Sequence, residues 1–270
     1  MRKDIGKEEF KKISLDILLA VHEFCQENNI KYSLACGTLI GAIRHKGFIP
    51  WDDDIDIYMV REDYKRFISI FPQLYKDKLS IISLESSSQW NCPFAKVYDS
   101  RTVMIEDKRT DIVGLGIGID VFPLDQAPDN DQLWTQFEKK RKILRGLYEM
   151  KELRWRSTRP LYKNILVELC YLILLPFSSR FFAQKMNFFA QKFNNQSSNF
   201  YAENCYGTPN NRFLKSDFGH TVEWPFENYY FNVMCGYDDY LTRFYGDYMQ
   251  FPPVEERVSH HHYMAYWKET

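Results

Sequence analysis

Between Pro50 and Val60 the chain reads Pro-Trp-Asp-Asp-Asp-Ile-Asp-Ile-Tyr-Met-Val, four aspartates set directly against an apolar run. An acidic triplet alone would describe a solvated loop. Here polar and apolar residues alternate from Asp54 to Val60, which is the period of a strand. Residues two apart on a strand share a face. Asp54 and Asp56 therefore present neighbouring carboxylates, while Ile55 and Ile57 turn to the core. Asp52 has the same parity but follows Pro50-Trp51 and belongs to the loop. Carboxylates so placed repel unless positive charge lies between them. A hard divalent cation with oxygen ligands answers this need, and Mg²⁺, with Mn²⁺ as a substitute, takes one or two carboxylates plus substrate phosphates.

The flanking segments point the same way. Upstream, a strand-like stretch from Ile30 to Cys36 breaks at Gly37-Thr38, and Leu39 to His45 reads as a short helix. A turn into a helix N-terminus exposes free backbone N–H groups that suit phosphate, so Gly37 and Thr38 are candidates to cradle one. Arg44 and His45 fall at the end of that helix, within reach of a diphosphate. Downstream, Arg61 to Leu74 reads as a helix and Leu79 to Leu84 as a strand. Phe94 to Tyr98 and Val103 to Glu106 are candidates to pair as two more strands. Gly114 to Phe122 approaches a strand closed by Pro123. Asp120 lies there among apolar residues, where a lone acid is costly unless paired or metal-bound; it is the candidate third ligand or base. Asp125 follows Pro123 and reads as a turn or helix-start residue. Lys96 interrupts an apolar strand and could neutralise a donor phosphate.

The rest of the chain frames this constellation. Ile5 to Asn28 is helical by its apolar spacing. Asp131 to Phe193 reads as helix, broken near Arg159-Pro160 and Pro176. Val222 to Val233 is strand-like and aromatic, and Tyr237 to Tyr245 is a short helix. The expected division is a catalytic core over 1–128, a basic helical insertion over 129–199, and a C-terminal segment over 200–270 that completes the cleft. Lys139 to Lys192 holds 13 Lys or Arg against 3 Glu, a net of +10 in a chain whose total is −1. The near-neutral total argues against a nucleic-acid partner, whereas the local excess marks an anionic one. The apolar stretch Ile165 to Phe177 is too short to span a bilayer, but its basic, aromatic flanks suit peripheral contact with a membrane. The 6 cysteines are widely spaced. That excludes CxxC zinc sites and a disulfide scaffold, and with no apolar leader at the start it implies a cytoplasmic protein. Gly114-Leu-Gly-Ile-Gly lacks the strand-to-helix setting of a dinucleotide fingerprint. His260-His261-His262 cannot all face one ion in regular structure.

Gly37-Thr-Leu-Ile-Gly-Ala-Ile-Arg-His-Lys-Gly-Phe-Ile-Pro-Trp-Asp-Asp-Asp-Ile-Asp56 resembles the opening motif of the LicD family, the phosphocholine transferases of bacterial surface glycans. Gly118-Ile-Asp-Val-Phe-Pro-Leu-Asp125 is similar to a second family block. Gly246-Asp-Tyr-Met and Pro252-Pro253 through Arg257 and His260 resemble the closing one. The resemblance implies an α+β fold, a nucleotidyltransferase-like mixed sheet core with a helical insertion. It further implies a CDP-linked donor, CDP-choline first, with Mg²⁺ on Asp54, Asp56 and Asp120, and His260 near the donor. The acceptor would be a teichoic acid, lipopolysaccharide or other glycan precursor, carried on lipid at the inner face of the plasma membrane. Transfer of ribitol or glycerol phosphate, or a non-catalytic nucleotide-binding scaffold, are the alternatives. Some eukaryotic relatives carry zinc on clustered cysteines, and this sequence lacks the cluster.

Overall fold

The alternation after Asp54 does form a strand, but a shorter one that begins at Asp56. In the computed structural model, which describes residues 3–75, 78–106, 112, 114–205, 212–258 and 263–269, the elements run as follows. β1 (Lys3–Asp4) and α1 (Lys7–Glu27) lead to β2 (Ser33–Leu34) and α2 (Cys36–Ile40), which a wider turn of helix prolongs over Gly41–His45. Then come β3 (Asp56–Val60), α3 (Arg61–Leu74), β4 (Leu79–Ile82), β5 (Ala95–Asp99), β6 (Thr102–Glu106) and β7 (Gly118–Ala127). Three helices follow, α4 (Asp131–Glu152), α5 (Leu161–Ile173) and α6 (Ser179–Ala190). The chain closes through β8 (Phe200–Ala202), β9 (Arg212–Leu214), α7 (Lys215–Gly219), β10 (Thr221–Phe226), β11 (Tyr229–Met234), α8 (Tyr237–Tyr245) and β12 (Tyr263–Trp267). This is the expected α+β class.

The main sheet has the order β2-β3-β7-β5-β4, with β8 on the far half of β7 and β9 beyond it. β3 and β7 run parallel, and the other pairs of this sheet are antiparallel. On one face Ile57, Met59, Val97, Ile119 and Val121 are fully buried. α1 and α3 cover that face. Phe24 of α1 meets Phe67 and Phe71 of α3 edge-on, at centroid distances of 5.7 and 5.0 Å. Each such ring contributes roughly 1.5–3 kcal/mol by leaving water. With one face spent on this core, the positions between, Asp56, Lys96 and Asp120, point to the other.

Four expectations need correction. The segments β5 and β6 do not pair with each other: β5 lies between β4 and β7, whereas β6 joins β12 and β1 in a separate antiparallel sheet. Helix α2 begins at Cys36 rather than Leu39, so Gly37 and Thr38 are its first turn and not a break before it. Pro123 does not close β7 but sits in its middle. The Asp120 N–H bonds the Ile55 carbonyl across the parallel pair. Successive residues point their N–H groups to opposite edges, so the position of Pro123 faces the other edge. There β5 ends opposite Val121 and β8 starts opposite Asp125, and the missing donor falls in the gap. Asp125, finally, is a strand residue. It is fully buried, and Arg61 grips it with Nε at 2.8 Å and Nη2 at 2.5 Å.

That ion pair joins two parts of the molecule. Arg61 also donates to Asn187 of α6 at 2.9 Å, and Asn194 donates to Asp125 at 2.6 Å. Farther along, Arg180 donates to the carbonyls of Leu84, Ser87 and Trp90. Phe137 of α4 stacks on Phe189 of α6 at 4.5 Å. The helical segment is thus fastened to the sheet through α6. The C-terminal segment enters the main core directly, where Phe213, Phe218, Phe226 and Phe231 are buried with α1.

Candidate active site

The register sets the site. Asp56 of β3 lies opposite Asp120 of β7, and Asp120 lies opposite Lys96 of β5. Three chemically active side chains stand abreast on three neighbouring strands, about 5 Å apart. The Lys96 ammonium donates to Asp120 at 2.8 Å. Burial would lower the Lys96 ammonium, but Asp120, with Glu106 assisting, holds it above its ordinary value, so it stays charged.

Asp56 is at the centre of an acidic crowd. Burial pushes its carboxyl well above the usual carboxylate range, and Asp54, Asp120 and Asp52 push the same way against Lys96. Asp54 lies two residues ahead on the approach to the strand, as parity implied, but outside the strand itself. The four neighbouring aspartates do not share one role. Asp53 is buried and accepts the Tyr263 hydroxyl at 2.8 Å, which ties the loop to β12. Asp52 turns to the first turn of α2, where a Cβ added to Gly37 would stand 2.9 Å from its Oδ2.

Thr38 and the glycines seat α2 against the strand. The Thr38 Oγ1 accepts the Asp56 N–H at 2.9 Å, so this hydroxyl fixes the start of β3 and keeps its proton to offer to a phosphate oxygen. Gly41 is needed for clearance, since a Cβ there would come within 2.5 Å of the Gly47 carbonyl oxygen. Cys36 starts α2 at φ +49°, and its thiol lies 3.4 Å from the Tyr58 hydroxyl, itself 3.1 Å from that of Tyr240. Burial first, then Asp56, push the thiol well up, which rules it out as a ready nucleophile. Tyr245 joins the group: burial, Cys36, Asp56 and Asp54 all raise its phenol. Tyr58 escaped the sequence reading, although it lies two residues after Asp56 and so on the same strand face.

Arg44 and His45 do not stand free. Arg44 donates to the carbonyls of Tyr248 and Gln250 at 2.7 and 3.1 Å and to His45 at 2.9 Å. Its guanidinium lies 4.9 Å from the Phe251 ring, and Arg257 packs over Phe251 and Trp51 at 5.3 and 5.6 Å. His45 meets Trp51 and Phe251 edge-on. Burial, then Arg44, lower the His45 imidazole, so it is neutral at pH 7. This cluster clamps the C-terminal segment to the helix that opens the motif. His260 lies outside the described residues.

Among the described residues no three His, Cys, Asp or Glu side chains converge closely enough to grip an ion unaided. The donor set fits Mg²⁺ all the same: the carboxylates crowding Asp56 are hard oxygen ligands, and Mg²⁺ routinely completes its shell with water and substrate phosphate.

The sequence matches the family model described as LicD/FKTN/FKRP, nucleotidyltransferase domain, over residues 29–187. It is 31% identical over 275 residues to the lipopolysaccharide cholinephosphotransferase LicD of Haemophilus influenzae, covering 98% of this chain and 99% of that one. An uncharacterized protein of Rickettsia typhi is 48% identical over 66 residues, 24% of this chain, and one of Rickettsia prowazekii is 47% identical over 64, or 23%.

Proposed function

The chain belongs to the LicD/FKTN/FKRP nucleotidyltransferase family, and from that premise we propose that it transfers phosphocholine from CDP-choline to a sugar hydroxyl of a cell-surface glycan, releasing CMP. The observation that carries this reading is the row of Asp56, Asp120 and Lys96 on three adjacent strands, with Asp54 beside it. The near full-length likeness to a lipopolysaccharide cholinephosphotransferase supports the choice of group and of a lipopolysaccharide-type acceptor.

The acceptor oxygen attacks the phosphorus that bears choline, a P–O bond to the sugar forms, and the bond to CMP breaks. Asp54 and Asp56, with Asp120 alongside, would hold a Mg²⁺ or Mn²⁺ ion, which supplies charge neutralisation at the diphosphate. Lys96 places a permanent positive charge at the same strand row, where it offsets negative charge on the donor. Asp120 is the carboxylate assigned to receive the hydroxyl proton, since its strand neighbours supply a ligand pair on one side and a cation on the other. Tyr245 offers a half-exposed ring close to these acids. A ring face there favours a quaternary ammonium over an uncharged ribitol or glycerol chain.

The test is a panel of CDP-choline, CDP-ribitol and CDP-glycerol with Mg²⁺ and de-acylated lipopolysaccharide, scored for CMP release and choline incorporation. CMP release with CDP-choline alone is expected. Release only with an alditol donor would replace the substrate, and pyrophosphate from a nucleoside triphosphate would replace the reaction.

A further inference from the structure

Helix α5 is inside out. A helix in water turns its apolar stripe to the protein and its polar face to solvent. Among the 13 residues of α5, Asn164 is the buried one. Its side chain donates to the Arg156 and Arg159 carbonyls at 2.8 and 3.2 Å and accepts the Arg156 N–H at 3.2 Å. The contact with α4 is apolar where Leu174, just past the helix, is buried beside Tyr148, and polar at Lys151, which donates to the Leu174 carbonyl at 3.1 Å and sits over the Tyr171 ring at 4.3 Å. Outward, Tyr162, Ile165, Leu166, Leu169, Leu172 and Ile173 are all exposed, Tyr162 by 69% and Ile173 by 74%. Their spacing of three and four keeps them on one stripe. Scattered exposed leucines need no explanation, but a continuous stripe of this kind marks an interaction surface.

We propose that this stripe lies in the surface of an anionic lipid membrane. The length sets the geometry: thirteen residues make a helix of about 20 Å, shorter than the roughly 30 Å hydrocarbon core. Among the described residues no helix is long and apolar enough to cross a membrane. An apolar helix that cannot cross lies in the interface plane. Charge selects the occupant. Arg156 and Lys163 are exposed at the start of the helix, Trp155 stands half-exposed between Arg154 and Arg156, and Lys139, Lys140 and Lys142 line the preceding helix. Basic side chains around a buried apolar stripe bind anionic headgroups, and an indole prefers the headgroup level. A second copy of the chain would bury the stripe as well. A twofold contact, however, sets the same patch against itself, and the exposed Arg156 and Lys163 beside the stripe would then meet like charge.

The experiment is flotation of the full chain with phosphatidylcholine vesicles containing or lacking phosphatidylglycerol. Binding is expected with phosphatidylglycerol and is lost without it. The combined variant Leu166→Gln, Leu169→Gln, Ile173→Gln alters exposed positions only, so its circular dichroism and melting temperature should match the parent while vesicle affinity falls at least tenfold. Arg156→Gln and Lys163→Gln should each weaken binding roughly fivefold at low salt. Val254→Gln, at another exposed apolar position, should change nothing. Failure to bind anionic vesicles overturns the proposal, as does unchanged binding by the triple variant. A dimer in solution that the triple variant dissociates, with no vesicle binding, assigns the stripe to a second copy. None of these readouts depends on the donor, so a failure of the proposed transfer leaves this result standing.

Discussion

The site face of the sheet and the outer face of α5 depart from the norms of folding in opposite senses. One gathers acids at Asp56 where burial should disperse them; the other shows leucine and isoleucine to water where burial should collect them. The α1-covered face of the same sheet keeps to the norm: it is largely apolar, and the acids buried in it are paired, Asp125 with Arg61 and Asp99 with Arg101. Departures of this kind are what binding partners leave behind. A cation and a phosphate would relieve the first, and a lipid surface the second. The two regions therefore need different variants to test them, because substitutions in the first strip chemistry and those in the second strip only contact.

The sharpest break would come at the carboxylates. Asp56→Asn should cut turnover by at least two to three orders of magnitude, and its melting temperature should hold or rise, because one of several repelling charges is gone. Paired turnover and melting measurements decide it, and near-parental activity would remove Asp56 from the site. Chelation with EDTA should be as severe and should reverse with Mg²⁺ or Mn²⁺ but not require Zn²⁺; stoichiometric zinc in active enzyme would contradict the oxygen-ligand reading. Next comes the seam between the regions. Arg61→Ala leaves Asp125 buried and uncompensated, which should cost about 3–5 kcal/mol in urea unfolding. A loss below about 1 kcal/mol would mean that the insertion is not held through this pair. Smallest is the triple Gln variant on α5: its unfolding free energy should stay within about 0.5 kcal/mol per site, and turnover with a soluble acceptor should not move. A large activity loss there would merge the two regions into one.

The sequence made some of this legible. The limits of α3 and α8 follow from unbroken apolar spacing, and the Asp54–Asp56 parity led to the right face. Asp120 was found because an acid in an apolar strand needs a partner, and the partner, Lys96, had been noticed for the same reason. Their direct pairing depends on the register of two strands, β5 and β7, which no local pattern encodes. Pro123 and Asp125 differ from expectation because proline is locally a terminator, whereas here a change of neighbour in mid-strand absorbs its missing N–H. The position of Arg44 at the end of a short helix points to a diphosphate, and the carbonyls of Tyr248 and Gln250 that it also holds lie some two hundred residues away. β12 pairs with β1 and β6 without any strong pattern of its own. The α5 stripe was visible as composition, yet only the packing of Asn164 and Lys151 shows which side of the helix the protein keeps.

The β1-β12-β6 arrangement bears on how the chain emerges from the ribosome. β6 is made long before its antiparallel neighbour β12, and β1 waits for the same strand. Until then the Thr102–Glu106 edge, with Val103, Met104 and Ile105 at its centre, offers unsatisfied backbone groups to any passing strand. An edge left unpaired over that interval favours contact between chains. Slower growth temperature or a bound chaperone should improve recovery of soluble chain more than any change at the active site.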